Sequence, residues 1–126
     1  MGGHEMNEER RHFLRLGTRL LTFVTFPTGA VLRALTKDLG GGGACLLLEG
    51  LMDPGTPLEL EMKFPDRELP LRCTAEVLWS KLSNEPTRGG YLSPPPLTET
   101  GVRFKGLSAK EQSFIIQYTM INAVPY

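Results

Sequence analysis

Two arginines four residues apart, Arg11 and Arg15, sit in a short basic cluster with Arg10 and Arg19. Further on, the chain reads Asp38-Leu39-Gly40-Gly41-Gly42-Gly43. A guanidinium is a planar fork that grips a phosphate through two parallel hydrogen bonds, pairs with the O6 and N7 edge of guanine, or stacks on a base. At this spacing, Arg11 and Arg15 share one side of a helix or reach one ligand from an ordered loop. The Asp38 carboxylate only accepts hydrogen bonds, which suits the N1–H and N2–H₂ donors of guanine. The glycines remove every Cβ, so backbone N–H groups can approach a ring or a phosphate. The two segments together suit a planar, multiply charged anion such as a nucleotide.

Each segment alone has a plainer reading. Glu8-Glu9-Arg10-Arg11 is also what a solvated terminus looks like. Asp followed by Gly also suits a hairpin turn, and no Gly-Lys-Ser/Thr follows to make a phosphate loop. Trp79 ends an apolar face and reads either as core or as a rim residue able to stack on a base. His4 and His12 lie in the polar N-terminal segment. No Ser/His/Asp or Cys/His arrangement and no clustered metal ligands can be assembled, so neither an enzyme nor a metal or cofactor site is expected.

Several short strands must position these residues. Residues 20–26 are rich in β-branched and aromatic side chains, stop at Pro27, and predict a strand. Gly29 permits a turn, and residues 30–37 predict a second strand, with Val31 and Leu35 on one face and Arg33 and Lys37 beside them. Residues 38–43 predict a turn, because four successive glycines hold no regular element. Residues 44–48 read as a short apolar strand and Pro54-Gly55 as a reversal. Leu58, Leu60, Met62 and Phe64 alternate with Glu59, Glu61 and Lys63, the pattern of an antiparallel sheet with one buried face. Residues 69–79 predict a long strand with Leu71, Cys73, Ala75, Val77 and Trp79 on a common side.

Residues 83–100 carry many prolines and glycines and predict an extended loop, with a short strand at 90–92 and a stiff Pro94-Pro95-Pro96 segment. Residues 101–104 restore strand character. Ser108 with Glu111 forms a capping-box pattern that opens a helix. Phe114, Ile115, Tyr118 and Ile121 share one helix face, while Gln112 and Gln117 look outward. The organisation is mainly β, a small antiparallel barrel or sandwich with a C-terminal helix.

At 126 residues the chain is one domain, with residues 1–8 as a flexible leader, 9–122 as the domain and 123–126 as a tail. Its 14 basic and 14 acidic residues cancel, so no overall field draws it to nucleic-acid polymers, and the local patch favours a compact anion. Cys45 and Cys73 lie in apolar runs and read as small buried hydrophobes. No apolar stretch reaches the length of a membrane span and the polar start is no signal peptide, so a cytoplasmic protein is expected.

From residue 9 to residue 118 the chain resembles the PilZ family, receptors for the bacterial second messenger cyclic di-GMP. Glu9-Arg10-Arg11-His12-Phe13-Leu14-Arg15 is similar to the family's Arg-x-x-x-Arg motif, with Arg11 and Arg15 as its arginines. Thr36-Lys37-Asp38-Leu39-Gly40-Gly41-Gly42-Gly43 is similar to its Asp/Asn-x-Ser-x-x-Gly motif, with Asp38 and Gly43 in register. Ala75-Glu76-Val77-Leu78-Trp79, then Gly101-Val102-Arg103-Phe104 and a closing helix, resemble the family's second half.

The resemblance implies a six-stranded antiparallel β-barrel with a C-terminal helix. It implies a cyclic di-GMP site made by Arg10, Arg11, Arg15, Asp38, Gly40, Gly43, Trp79 and Gly101. It also implies an arm that closes on the ligand and so regulates a protein partner in motility, pilus, polysaccharide or biofilm pathways, as a monomer or weak dimer. Gly40 stands where the motif has serine. The missing neutral hydrogen bond lowers affinity about two- to tenfold. An adaptor of the same fold that binds no nucleotide is the alternative. A barrel for RNA or single-stranded DNA would need a basic face interleaved with aromatics, which the neutral composition does not supply.

Overall fold

The structure is a computed structural model that describes residues 13–83 and 97–123. Arg10, Arg11, both histidines, the expected strand at 90–92 and the triproline segment lie outside the described residues. Within them the elements run β1 (Leu16–Gly17), β2 (Leu21–Thr25), β3 (Val31–Leu39), β4 (Gly43–Glu49), β5 (Pro57–Met62), β6 (Leu71–Leu82), β7 (Leu97–Phe104) and α1 (Ala109–Asn122).

The alternation in β5 builds its wall as expected: Leu58, Leu60 and Met62 are buried while Pro57 and Glu59 face water. With Val24, Leu46, Leu71 and Val77 these side chains fill one core. Each fully buried aliphatic of this kind contributes about 1.5–3 kcal/mol. The strands pair antiparallel in the order β3-β2-β5-β6-β7-β4, and β4 pairs back onto β3, closing a six-stranded barrel. Closure leaves the sheet without the unpaired edges that invite association. β1 is a two-residue addition on β3, pairing Leu16 with Leu39 and Gly17 with Asp38.

The helix starts at the expected capping box. The Ser108 hydroxyl accepts from the Glu111 amide at 3.1 Å, and the Glu111 carboxylate accepts from the Ser108 amide at 3.3 Å. Phe64, just past β5, meets Phe114 and Tyr118 edge-on, each at 5.0 Å between ring centres. Ile115, Tyr118 and Thr119 are buried. Ile121, expected on that face, is 71% exposed, because the docked stripe ends one turn earlier. Gln112, expected to look outward, instead donates to the Gly41 carbonyl at 3.1 Å.

Two further expectations are corrected and one is sharpened. The turn is shorter than residues 38–43, since Asp38 and Leu39 end β3 and Gly43 begins β4. β7 begins at Leu97, so the last four residues of the expected 83–100 loop are strand. Val31 and Leu35 share a face as expected, and it is the outer one, where they are 55% and 44% exposed.

The most consequential correction concerns Trp79. In β6, Leu71, Cys73, Ala75 and Val77 are buried, yet Trp79 is 42% exposed. The register shifts between Val77 and Trp79, so Leu78 is an extra residue and Trp79 turns to the outer face. Such a bulge inserts one unpaired residue and re-aims the strand beyond it. A second register shift lies in β3 between Thr36 and Asp38, with Lys37 as the extra residue.

Candidate ligand-binding shelf

The β3 bulge decides which side chains reach the outer surface. Thr36 is buried in the barrel and so is Leu39, leaving two residues between them where alternation allows one. Lys37 and Asp38 therefore both leave the core and are half-buried. The Arg19 guanidinium donates to the carbonyls of Lys37 at 2.9 Å and Thr36 at 3.4 Å, holding the irregular backbone. The Thr36 hydroxyl is bound by the Leu20 amide at 2.8 Å and itself donates to the Thr18 carbonyl. So Arg19, part of the basic cluster in the sequence, supports the frame of this region.

Register then draws a row across four strands. Asp38 of β3 pairs with Cys45 of β4, Cys45 with Gly101 of β7, and Gly101 with Trp79 of β6. Three interstrand spacings make this row about 14 Å long. Its middle has almost no side chains. The Trp79 ring lies against Gly101, where a Cβ would come within 2.4 Å of the indole. Lys81 extends over the same ring, 5.6 Å from its centre. The result is a shelf with an acidic group at one end and an aromatic plane at the other.

Arg15 supplies the cation. Its Nη2 donates to Asp38 Oδ1 in an ion pair that both residues leave partly open to solvent. The backbone around it is packed against the glycine turn. A Cβ at Gly40 would lie 2.9 Å from the Leu14 carbonyl oxygen and 3.0 Å from Arg15 Cδ. At Gly41 it would meet both Phe13 and Ile116 at 2.8 Å, and at Gly43 it would strike the Val102 carbonyl oxygen at 2.2 Å. None of the four glycines has the left-handed backbone that favours glycine. They are there for room, and the room is occupied by the chain's own N-terminal segment, α1 and β7. A serine at position 40 would push Leu14 and Arg15 away.

Ion pairs flank the shelf. Lys37 Nζ donates to Glu99 Oε2 at 2.9 Å, and the Ser83 hydroxyl donates to the same oxygen at 3.0 Å. The Lys37 hydrogen bond holds the Glu99 carboxyl below the usual carboxylate range. Arg103 likewise binds Glu76 at 2.7 Å and lowers its carboxyl. Burial, then the charges of Asp38 and Glu99, push the Cys45 thiol up to about 11.

The structure thus brings Arg15, Asp38, Gly40, Trp79 and Gly101 to one surface, with Gly43 at its turn end; Arg10 and Arg11 lie outside the described residues. Reasoning from sequence missed Lys37, Cys45 and Glu99. Lys37 had one signal, its place beside Asp38, whereas Glu99 is joined to the region only by pairing across strands.

Comparison with known proteins gives the same frame. The sequence profile of the PilZ domain matches residues 9–120. The chain belongs to the PilZ domain family. No curated protein matches this PilZ domain significantly in sequence. Among solved structures it is similar to the inhibitor of motility of Bacillus subtilis (TM-score 0.69, 20% identity, covering 90% of this chain and 51% of that one). It is also similar to the PilZ domain of Escherichia coli YcgR with c-di-GMP (TM-score 0.67, 17% identity, 90% and 94%). A third is YcgR of Escherichia coli in complex with c-di-GMP (TM-score 0.68, 15% identity, 90% and 46%). The chain therefore spans about half the length of the inhibitor of motility and of that YcgR chain.

Proposed function

We propose that this PilZ domain is a receptor for cyclic di-GMP, with the ligand lying along the Asp38–Trp79 row and Arg15 gripping it. The observation that carries the reading is the row itself, in which a carboxylate, a floor of only Cys45 and Gly101, and an exposed indole follow one another across four strands. A guanine stacked on Trp79 and a second purine edge at Asp38 fit those chemistries, and Arg15 suits a phosphate. Arg10, Arg11, Gly40 and Gly43 complete the proposed contact set. Structures solved with c-di-GMP bound to a similar barrel support the ligand class. The receptor acts without catalysis, by presenting a changed surface to a protein partner in the cytoplasm.

Calorimetric titration tests this directly. Cyclic di-GMP should bind saturably, and Arg15→Ala should weaken it at least tenfold, the scale of one charge-assisted contact. Equal affinity in wild type and variant removes Arg15 from the site. A second reading, an adaptor indifferent to the nucleotide, is favoured by one observation: Arg15 and Asp38 already satisfy each other. Wild-type protein that gives no heat at millimolar cyclic di-GMP, yet still captures its partner, would establish that reading instead.

A further inference from the structure

We infer that Lys37 is a second anion-gripping residue of the shelf and that Glu99, braced by Ser83, is the residue that positions it. This deepens the receptor reading above and rests on it. The first support is backbone geometry. The β3 bulge puts Lys37 and Asp38 on the outer side together, so the two side chains leave the strand as neighbours at the head of the row. The second is what Lys37 meets. Glu99 lies two residues before Gly101 on β7, about 7 Å along the strand from the middle of the shelf.

The burial of that pair is one-sided. The Glu99 side chain is 7% exposed while that of Lys37 is 37% exposed. A buried carboxylate demands partners, and Glu99 has them in the Lys37 ammonium at 2.9 Å and the Ser83 hydroxyl at 3.0 Å. It acts as an anchor, while the lysine side chain it holds stays partly open to solvent. An ordinary exposed lysine must surrender rotamer freedom to grip a ligand; one already held in place surrenders less.

The third support is the arrangement of charge. The Cys45 thiol, in the floor of the row, is pushed up by the charges of Asp38 and Glu99 and down by those of Lys37 and Arg15. Two cations and two carboxylates therefore surround one point, paired as Arg15 with Asp38 and Lys37 with Glu99. A ligand carrying two phosphates and two hydrogen-bonding bases offers each of those four groups a counterpart. The class of ligand this favours is a cyclic dinucleotide bisected by the row, with one phosphate at each cation.

The test is a titration of the whole chain with cyclic di-GMP at low and at physiological salt. Lys37→Met should weaken binding about tenfold or more, and Lys37→Arg should retain most of it. The loss should shrink as salt rises, since a partly exposed cation is screened. Glu99→Gln should cost less, and the double variant Lys37→Met/Glu99→Gln no more than Lys37→Met, because Glu99 acts through Lys37. The double variant also removes the carboxylate that Lys37→Met strands, so binding can be read even where the single variant unfolds. Wild type that binds while the double variant binds equally overturns the role of Lys37 and leaves the receptor reading standing. Additive losses at Lys37 and Glu99 overturn the positioning role of Glu99. Wild type that does not bind overturns the receptor reading and this inference with it.

Discussion

Two outer faces of the same barrel carry ion pairs, and they differ in kind. On the face made by β2, β5 and β6, a hollow of about 720 Å³ is lined by Phe23, Val31, Glu59, Glu61, Arg72 and Thr74. Its pair, Glu61 with Arg72 at 2.8 Å, is a solvated one, with the arginine side chain 77% exposed. On the face made by β3, β4, β7 and β6, Glu99 is nearly dry and its lysine is held against it. The first face follows strict alternation in β5, and the second lies where bulges break alternation in β3 and β6. The hollow is thus chemically plainer than the shelf. The shelf shows that a rule of local patterning gives way where side chains must be re-aimed, at the expense of a regular ladder.

The contrast can be broken most severely at the turn of the shelf. Gly43→Ala drives a Cβ into the Val102 carbonyl oxygen, a backbone atom with no rotamer to escape by. The expected loss is about 3 kcal/mol in denaturant unfolding, at the upper end for overpacking. An unchanged midpoint would mean that the turn is not pressed against β7.

A second effect separates a dry floor from a wet one. Cys45 faces outward yet is 3% exposed, and Cys73 in the core is 8% exposed. Burial raises the Cys45 thiol from 9.0 to about 11 and the Cys73 thiol to about 12. Above pH 9 the unfolded chain releases these protons while the fold retains them. Stability should therefore fall from pH 9 until the folded thiols ionise near 11 and 12. The extra alkaline loss of Cys73→Ala protein over the Cys45→Ala/Cys73→Ala double variant reports Cys45, on the order of 2 kcal/mol. Its absence in thermal unfolding at pH 8 and pH 11 would show that water reaches the floor.

The smallest effect belongs to the other face. Arg72→Ala should change unfolding free energy by less than about 0.5 kcal/mol and leave any cyclic di-GMP affinity intact, as expected for an exposed pair. A loss of affinity there would move the site and end the distinction between the faces.

The chain alone determined the strand pattern around Leu58, Leu60 and Met62, the helix start at Ser108 and Glu111, and the motif order that marks the PilZ family. Those features depend on neighbours a few residues away, where periodicity and capping operate. It also singled out Arg15, Asp38, Gly40, Gly43, Trp79 and Gly101 through resemblance. Only the folded barrel decided that Trp79 turns outward, that Lys37 and Asp38 emerge side by side, and that the four glycines provide space. Glu99 became visible only there too, since Lys37 is 62 residues away in sequence. Bulges and cross-strand rows are set by the partner strand's register, and no local rule in the chain encodes that register.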